Sequence, residues 1–264
     1  MLIIDSHVHV GVIWAEPVEV LQFQMKSNGV SNTVLIGTNG YWDHSYLIKC
    51  MERYPGTFKA AGSIDPQAPD RVKQLEAFHK AGGSGIRINI RSERAWDPDN
   101  SLFKAAGERG MIVSVIGRAD SFASARFKKL LDDCPKTHFN LEHLLRSPGK
   151  DVAEAPYAGY KEALECAKWP NTTTTVPGLG EILIRPPGNR PNTFPWEIPP
   201  HYAMAKEAFG VQRMMWGSNF PPCSAKEGYK NTLEAVRNLD VFKGADDLEW
   251  VLGKTAAKLW GFKS

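Results

Sequence analysis

Asp5, His7 and His9 alternate along the apolar segment IDSHVHV, residues 4–10, and their types and spacing invite chemistry. Successive side chains of an extended strand point to opposite faces, so residues two apart share one face. The alternation predicts that all three project to the same side of a sheet, with the two imidazoles adjacent. Neighbouring imidazoles can ligate one divalent cation, or donate hydrogen bonds to a polarised carbonyl without a metal. Taken alone, the pair also fits two partly buried histidines satisfied by polar neighbours.

Arg87 and Asn89 alternate in GIRIN, residues 85–89, and are predicted to share a face. The planar fork of Arg87 matches a carboxylate bidentately, which suits a substrate anchor, and Asn89 stands beside it. The alternative for Arg87 is a pairing with Asp5 or another buried acid. Arg91, Arg118 and Arg185 stand near strand ends or following loops, which offers positive charge to an anionic ligand. Trp14, Tyr41, Trp42 and Trp96 fall in loops where they could line an aromatic pocket or simply pack.

Short apolar or β-branched runs alternate with helical stretches, the pattern of repeated βα units around a parallel sheet. Strands are predicted at 2–9, 32–37, 58–64, 85–90, 111–116, 138–144, 172–176 and 213–216. Helices are predicted at about 17–27, 43–53, 70–81, from the Asp97-Pro98-Asp99-Asn100 turn to Gly110, from Asp120 or Ser121 to Asp133, and at 157–167, 227–239 and 248–260. Eight strands in 264 residues predict one α/β domain, a (β/α)8 TIM barrel over 1–264. Arg185–Pro200, RPPGNRPNTFPWEIPP, is too rich in proline for a helix or central strand and is expected to be an ordered loop. Phe194 or Trp196 within it could roof a pocket at the C-terminal face.

IDSHVHV, GIRIN, the Glu142-His143 pair, RMMWGSNFPP (213–222) and VLGKTAAKLWGF (251–262) follow one another in an order that resembles the amidohydrolase superfamily. The similarity is to its amidohydrolase-related branch, which contains lactonases such as 2-pyrone-4,6-dicarboxylate lactonase and metal-dependent decarboxylases. It implies that His143 joins His7 and His9, either as a metal ligand or bonded to a substrate oxygen. Glu142, next along the strand, is expected on the opposite face. The family pattern WGSDFP carries an aspartate that takes a proton from the attacking water, whereas this chain has Asn219, whose amide is no base at neutral pH. Another carboxylate such as Glu181 or Glu142 could substitute, the reaction could need no base there, or catalysis could be lost. Strand four has no lysine to carbamylate and strand five no histidine, so the resemblance implies at most one divalent metal, zinc foremost, on His7, His9 and His143. Metal-free lactonases of the branch imply that none is required.

A net charge of +3 without basic runs argues against nucleic acid, and 42% hydrophobic residues are enough for a substantial core. Cys50, Cys134, Cys166 and Cys223 form no CxxC pair, which fits a reducing compartment. There is neither a basic, apolar leader pattern nor a membrane-length apolar run, so a cytoplasmic, membrane-free protein is expected. Its partners are expected to be a small, anionic substrate and, as barrels often associate, a second copy in a homo-oligomer. The leading function that the resemblance implies is hydrolysis of a small carboxylated lactone or related carbonyl compound. A metal-dependent decarboxylase of a hydroxylated aromatic acid and a catalytically impaired ligand-binding barrel are the alternatives.

Overall fold

Each of the eight apolar runs forms a strand, and the strands pair in parallel in sequence order. They are β1 (Ile4–Val8), β2 (Asn32–Ile36), β3 (Phe58–Ser63), β4 (Gly85–Asn89), β5 (Ile112–Ile116), β6 (His138–Leu141), β7 (Thr172–Val176) and β8 (Met214–Trp216). The computed structural model describes residues 1–145, 154–183 and 198–263. Parallel neighbours need crossovers, and helices such as α1 (Val18–Asn28), α2 (Ser45–Arg53) and α3 (Arg71–Lys80) provide them on the outside. The ring closes between β8 and β1. There the Ser6 hydroxyl donates to the Trp216 carbonyl at 2.7 Å, the Asn219 N–H to the His7 carbonyl at 2.9 Å, and the His9 N–H to the Phe220 carbonyl at 2.7 Å. The expected (β/α)8 barrel is therefore present.

Alternate strand residues such as Leu35, Ile86, Ile88, Val113, Val115 and Leu141 pack outward against the helices. A smaller cluster of Ile4, Val34, Ile36, Ala61, Ile112 and Met215 fills the bottom of the lumen, sealed by Trp260 and Phe262 at the end of the last helix, Thr255–Trp260. Gly85 leaves the space that this seal needs, because a Cβ there would stand 2.9 Å from the Trp260 ring. Toward the C-terminal end the lumen turns polar. Ser114, Asn140, Thr173 and Thr175 are buried, and Asn140 Nδ2 donates to Thr175 Oγ1 at 3.0 Å.

Four local expectations need correction. A register irregularity between Asp5 and Val8 breaks the alternation of β1. Asp5 lies level with Thr33, whose hydroxyl reaches Met25 of α1, so Asp5 faces the helix layer and does not share the lumen side with His7 and His9. Strand β6 ends at Leu141, because His143, Leu144 and Leu145 adopt left-handed backbone at φ 54°, 55° and 58°. The helix expected up to Asp133 is two, Ala119–Ala123 and Ala125–Asp133, with the Ser124 hydroxyl capping the second. Finally, a helix at His201–Phe209 fills the crossover between β7 and β8, where none was predicted. Most of the proline-rich segment, with Arg185, Phe194 and Trp196, lies outside the described residues.

Gly217 follows β8 at the closure, where a Cβ would meet His7 Cβ at 2.6 Å and Thr175 Cγ2 at 2.7 Å. Gly217→Ala is expected to destabilise the barrel by about 1–3 kcal/mol through overpacking. Urea unfolding checks the loss, and unchanged stability would contradict this tight closure.

Candidate active site

Three imidazoles meet at the C-terminal end of the lumen. His7 comes from β1, His9 from just beyond it, and His143 from the turn after β6; the His7 ring centroid lies 5.0 Å from that of His9 and 4.6 Å from that of His143. The left-handed turn brings His143 there. It also overturns the expectation that Glu142 faces away, because without a regular strand the two side chains need not oppose. Glu142 Oε2 stands 3.9 Å from His7 Nε2 and 3.9 Å from His143 Nε2. Successive non-glycine residues in this backbone region carry strain of the kind that persists where packing over-determines a site. The turn is the signal that strict alternation could not reveal.

Arg87 holds Glu142 bidentately, Nε donating to Oε1 at 2.9 Å and Nη2 to Oε2 at 2.7 Å, while Nη1 donates to the Gly37 carbonyl at 3.2 Å. The Ser114 hydroxyl donates to the same Oε1 at 2.9 Å. Arg87 thus pairs with a buried acid that is Glu142 and not Asp5. Asp5 Oδ1 instead accepts from the N–H groups of Ser218 at 2.9 Å and His7 at 3.2 Å, bracing the turn after β8 against β1. Asn89 Oδ1 accepts from the backbone and Nε of Arg91, which lie 3.2 and 3.0 Å away.

Asn219 sits at the expected place after β8 in a left-handed conformation, φ 56°, which asparagine tolerates well. Its Nδ2 donates to Glu181 Oε1 at 2.8 Å. Lys226 also bonds Glu181.

The mouth is lined by His9, Ile13, Trp14, Ala15, Asn39, Arg87 and the Pro221-Pro222 pair. Beside it, a cavity of ≈ 300 Å³ reaches Trp42, Ser63, Arg87, Asn89 and Arg94. Trp14 and Trp42 are exposed at these rims, and Tyr41 is exposed beside a neighbouring cavity that it lines with Trp14 and His44. Trp96 is not: it is buried beneath the Arg126 guanidinium, 4.3 Å from its ring, and packs. Arg118 is exposed and pairs with Asp120.

Burial, then the neighbouring imidazoles and Arg87, drives the His7 imidazole well below its usual range. Burial and then Arg87 bring His9 down to about 4, and burial lowers His143. All three rings are therefore neutral at pH 7. His9 Nδ1 lies 2.7 Å from the Ile36 carbonyl; only an N–H is accommodated there, so the neutral ring presents Nε2 as a lone pair. Burial pushes Glu142 up, but the Arg87 charge and hydrogen bonds overrule it and hold the carboxyl below its usual value.

The donor set fits a metal. Among the described residues, both ring nitrogens of fully buried His7, and Nδ1 of His143, have no hydrogen-bond partner. His7, Glu142 and His143 offer ligand atoms all within 4.8 Å of one another. Ligands around one tetrahedral zinc lie about 3.4 Å apart, so modest closure suffices. The compact set thus joins the carboxylate of Glu142 to two of the three expected histidines, and His9 stands outside it.

The amidohydrolase family profile matches residues 14–262. The chain belongs to the amidohydrolase family. No curated protein sequence matches this amidohydrolase. Solved structures share its fold: an amidohydrolase from Burkholderia multivorans with bound zinc (17% identity, TM-score 0.78, all of both chains covered), a protein from Acinetobacter baumannii assigned as a 2-pyrone-4,6-dicarboxylic acid hydrolase with citric acid bound (14%, 0.74, 99% of this chain and 100% of that one), and 5-carboxyvanillate decarboxylase from Sphingomonas paucimobilis (13%, 0.66, 99% of each). Among the described residues of this amidohydrolase no helix is long and apolar enough to cross a membrane. Its four cysteines are buried and form no disulfide.

Two outcomes follow from the ion pair and the buried rings. Arg87→Met strands a buried carboxylate and is expected to cost about 3–5 kcal/mol in urea unfolding, with Glu142→Gln in the same chain recovering part of the loss. If Arg87→Met is neutral, the pair does not hold the lumen together. For His9, the folded protein binds fewer protons than the unfolded chain between the ordinary 6.5 and about 4. Its contribution to stability is therefore complete above that window and is lost as pH falls through it. Asp5, raised to about 6 by burial, acts in the opposite sense, so comparison with His9→Gln isolates the histidine. The metal-free parent should lose more stability toward pH 4 than the variant; parallel curves would refute the shift.

Proposed function

We propose that this amidohydrolase hydrolyses a small carboxylated lactone or a closely related cyclic carbonyl compound. The observation that carries the reading is His7: a neutral imidazole, fully buried, with no hydrogen bond to either nitrogen among the described residues, facing His143 in the upper lumen of a barrel. Burying unbonded polar atoms is costly, so such a ring is kept for something that enters the site. His7 and His143 are positioned to donate toward a carbonyl oxygen and stabilise the charge that develops there. His9, fixed with its lone pair inward, can accept a hydrogen bond or ligate but cannot polarise a carbonyl by donation. That division of roles favours a bound zinc held by His7, Glu142 and His143, with His9 beside it. A zinc there supplies Lewis-acid polarisation and a more acidic water.

An anionic substrate is supported by the guanidinium of Arg87 on the walls of both cavities. Three of its five N–H groups are engaged by Glu142 and Gly37, which leaves two for a substrate carboxylate. Asn89 and Arg94 line the same side. Citric acid in the Acinetobacter baumannii relative is a small polycarboxylate of this kind. The exposed Trp14 and Trp42 at the rim suit a flat ring.

Proton release from a panel of lactones, with and without carboxylates, tests the reading. Turnover is expected for carboxylated members, and chelation is expected to reduce it. A flat response across the panel would sink the lactonase reading. Carbon dioxide release from hydroxylated aromatic acids by zinc-loaded protein would put decarboxylation, the reaction of the Sphingomonas paucimobilis relative, in its place.

A further inference from the structure

The attacking water of a hydrolase needs a proton acceptor, and Asn219 cannot be one. We infer that Glu181, carried on the segment after β7 and hydrogen-bonded to Asn219, is the general base of this site, a role displaced from strand eight to a neighbouring loop. The inference rests on the hydrolytic reading above.

Of Glu142 and Glu181, Glu142 is poorly suited. It is fully buried, Oε1 already accepts from Arg87 and Ser114, and Oε2 accepts from Arg87 while facing two imidazoles. A carboxylate so clamped and fully enclosed orients its neighbours, and water has no approach to it; Glu181 is also partnered, by Lys226 and Asn219 among others, but it is not enclosed. Glu181 retains 18% side-chain exposure, and its Oε1 lies 2.8 Å from Asn219 Nδ2. Asn219 in turn is tied through its backbone N–H to the carbonyl of His7, at the strand end that carries the imidazoles, and the Glu181 charge is close enough to act on His143.

The segment that carries Glu181 is built to hold it there. Leu179 and Ile182 are buried on either side of Gly180-Glu181, and the Tyr202 hydroxyl donates to the Pro177 carbonyl at 3.1 Å. Glu227 Oε2 accepts the Gly180 N–H at 2.7 Å. At Gly178 a Cβ would lie 2.8 Å from Thr232 Cβ and against the Glu227 carboxylate, so glycine lets the loop come this close. Glu227 adjoins Lys226, the cation on Glu181, so one short stretch anchors the loop and offsets its charge.

In the step this implies, the water oxygen bonds to the lactone carbonyl carbon as Glu181 takes one of its protons. Collapse of the tetrahedral intermediate breaks the ring C–O bond. The electron pair goes to the ring oxygen, which receives the proton back from Glu181, giving the open hydroxy acid.

The test measures kcat, KM and melting temperature on a lactone that the parent turns over. Glu181→Gln is expected to lower kcat by about 10²–10⁴-fold, the usual contribution of a general base, with KM and melting temperature little changed. Glu181→Gln with Asn219→Asp returns a carboxylate to strand eight and is expected to recover part of that rate. Asn219→Asp alone sets two carboxylates within hydrogen-bonding distance, where they share a proton, and is expected to be slower than the parent. If Glu181→Gln does not fold, Glu181→Ala is assayed with added formate, and rescue by formate carries the same conclusion. Parental kcat in Glu181→Gln, a double variant no faster than it, failure of formate rescue, or an Asn219→Asp enzyme faster than the parent would overturn the assignment while leaving the lactonase reading intact. A parent that turns over no lactone overturns both.

Discussion

The pair formed by Arg87 and Glu142 across the upper lumen is the constraint on which the site depends. It joins β4 to the end of β6, and Ser114 of β5, which lies between them in the sheet, ties into the same carboxylate. A charge buried this deeply is tolerable only when its lone pairs and N–H groups are met, and here three parallel strands converge to meet them. With that network in place, Glu142 reaches two imidazoles, and the Arg87 charge helps keep the surrounding histidines neutral. Neutral imidazoles are the useful form, since a protonated ring neither ligates nor accepts.

The barrel divides its interior by chemistry. The lower part is an apolar plug of strand residues sealed by Trp260 and Phe262, and the upper part is a polar chamber with threonine, serine and asparagine on its walls. Isoleucine and valine rows on the outer faces of the strands bind the helices and leave the inner faces free to vary. This is how one architecture accommodates hydrolases and decarboxylases alike: chemistry is set at the strand ends and loops.

Strand number and order were legible because buried parallel strands read as short apolar runs separated by helical stretches; β7, TTTTV, was delimited to the residue. The convergence of His7, His9 and His143 was legible too. What escaped depends on departures from regularity. Asp5 left the lumen through a register irregularity, and His143 joined Glu142 inside it because three consecutive residues adopt left-handed backbone; no alternation rule encodes either. The helix His201–Phe209 is masked in the sequence by the prolines that precede it, although Tyr202, Ala205 and Phe209 mark its buried face and Gly210 its end. The partner of Arg87 required distance in three dimensions, since Glu142 is 55 residues away in sequence.

The closure of the ring has a bearing on how the protein comes to be. Ser6 and Trp216, bonded to each other, are separated by 210 residues, and the floor under the first strand is laid by residues 256–262. Chain synthesis therefore delivers His7 and His9 well before the strand that walls them on one side and the residues that form their floor. Until then β1 is an unpaired edge carrying apolar side chains, a surface prone to mispairing. Assembly of the site is consequently a late, long-range event, and nascent or truncated forms lacking the last strand would hold all the histidines without the chamber that gives them their properties.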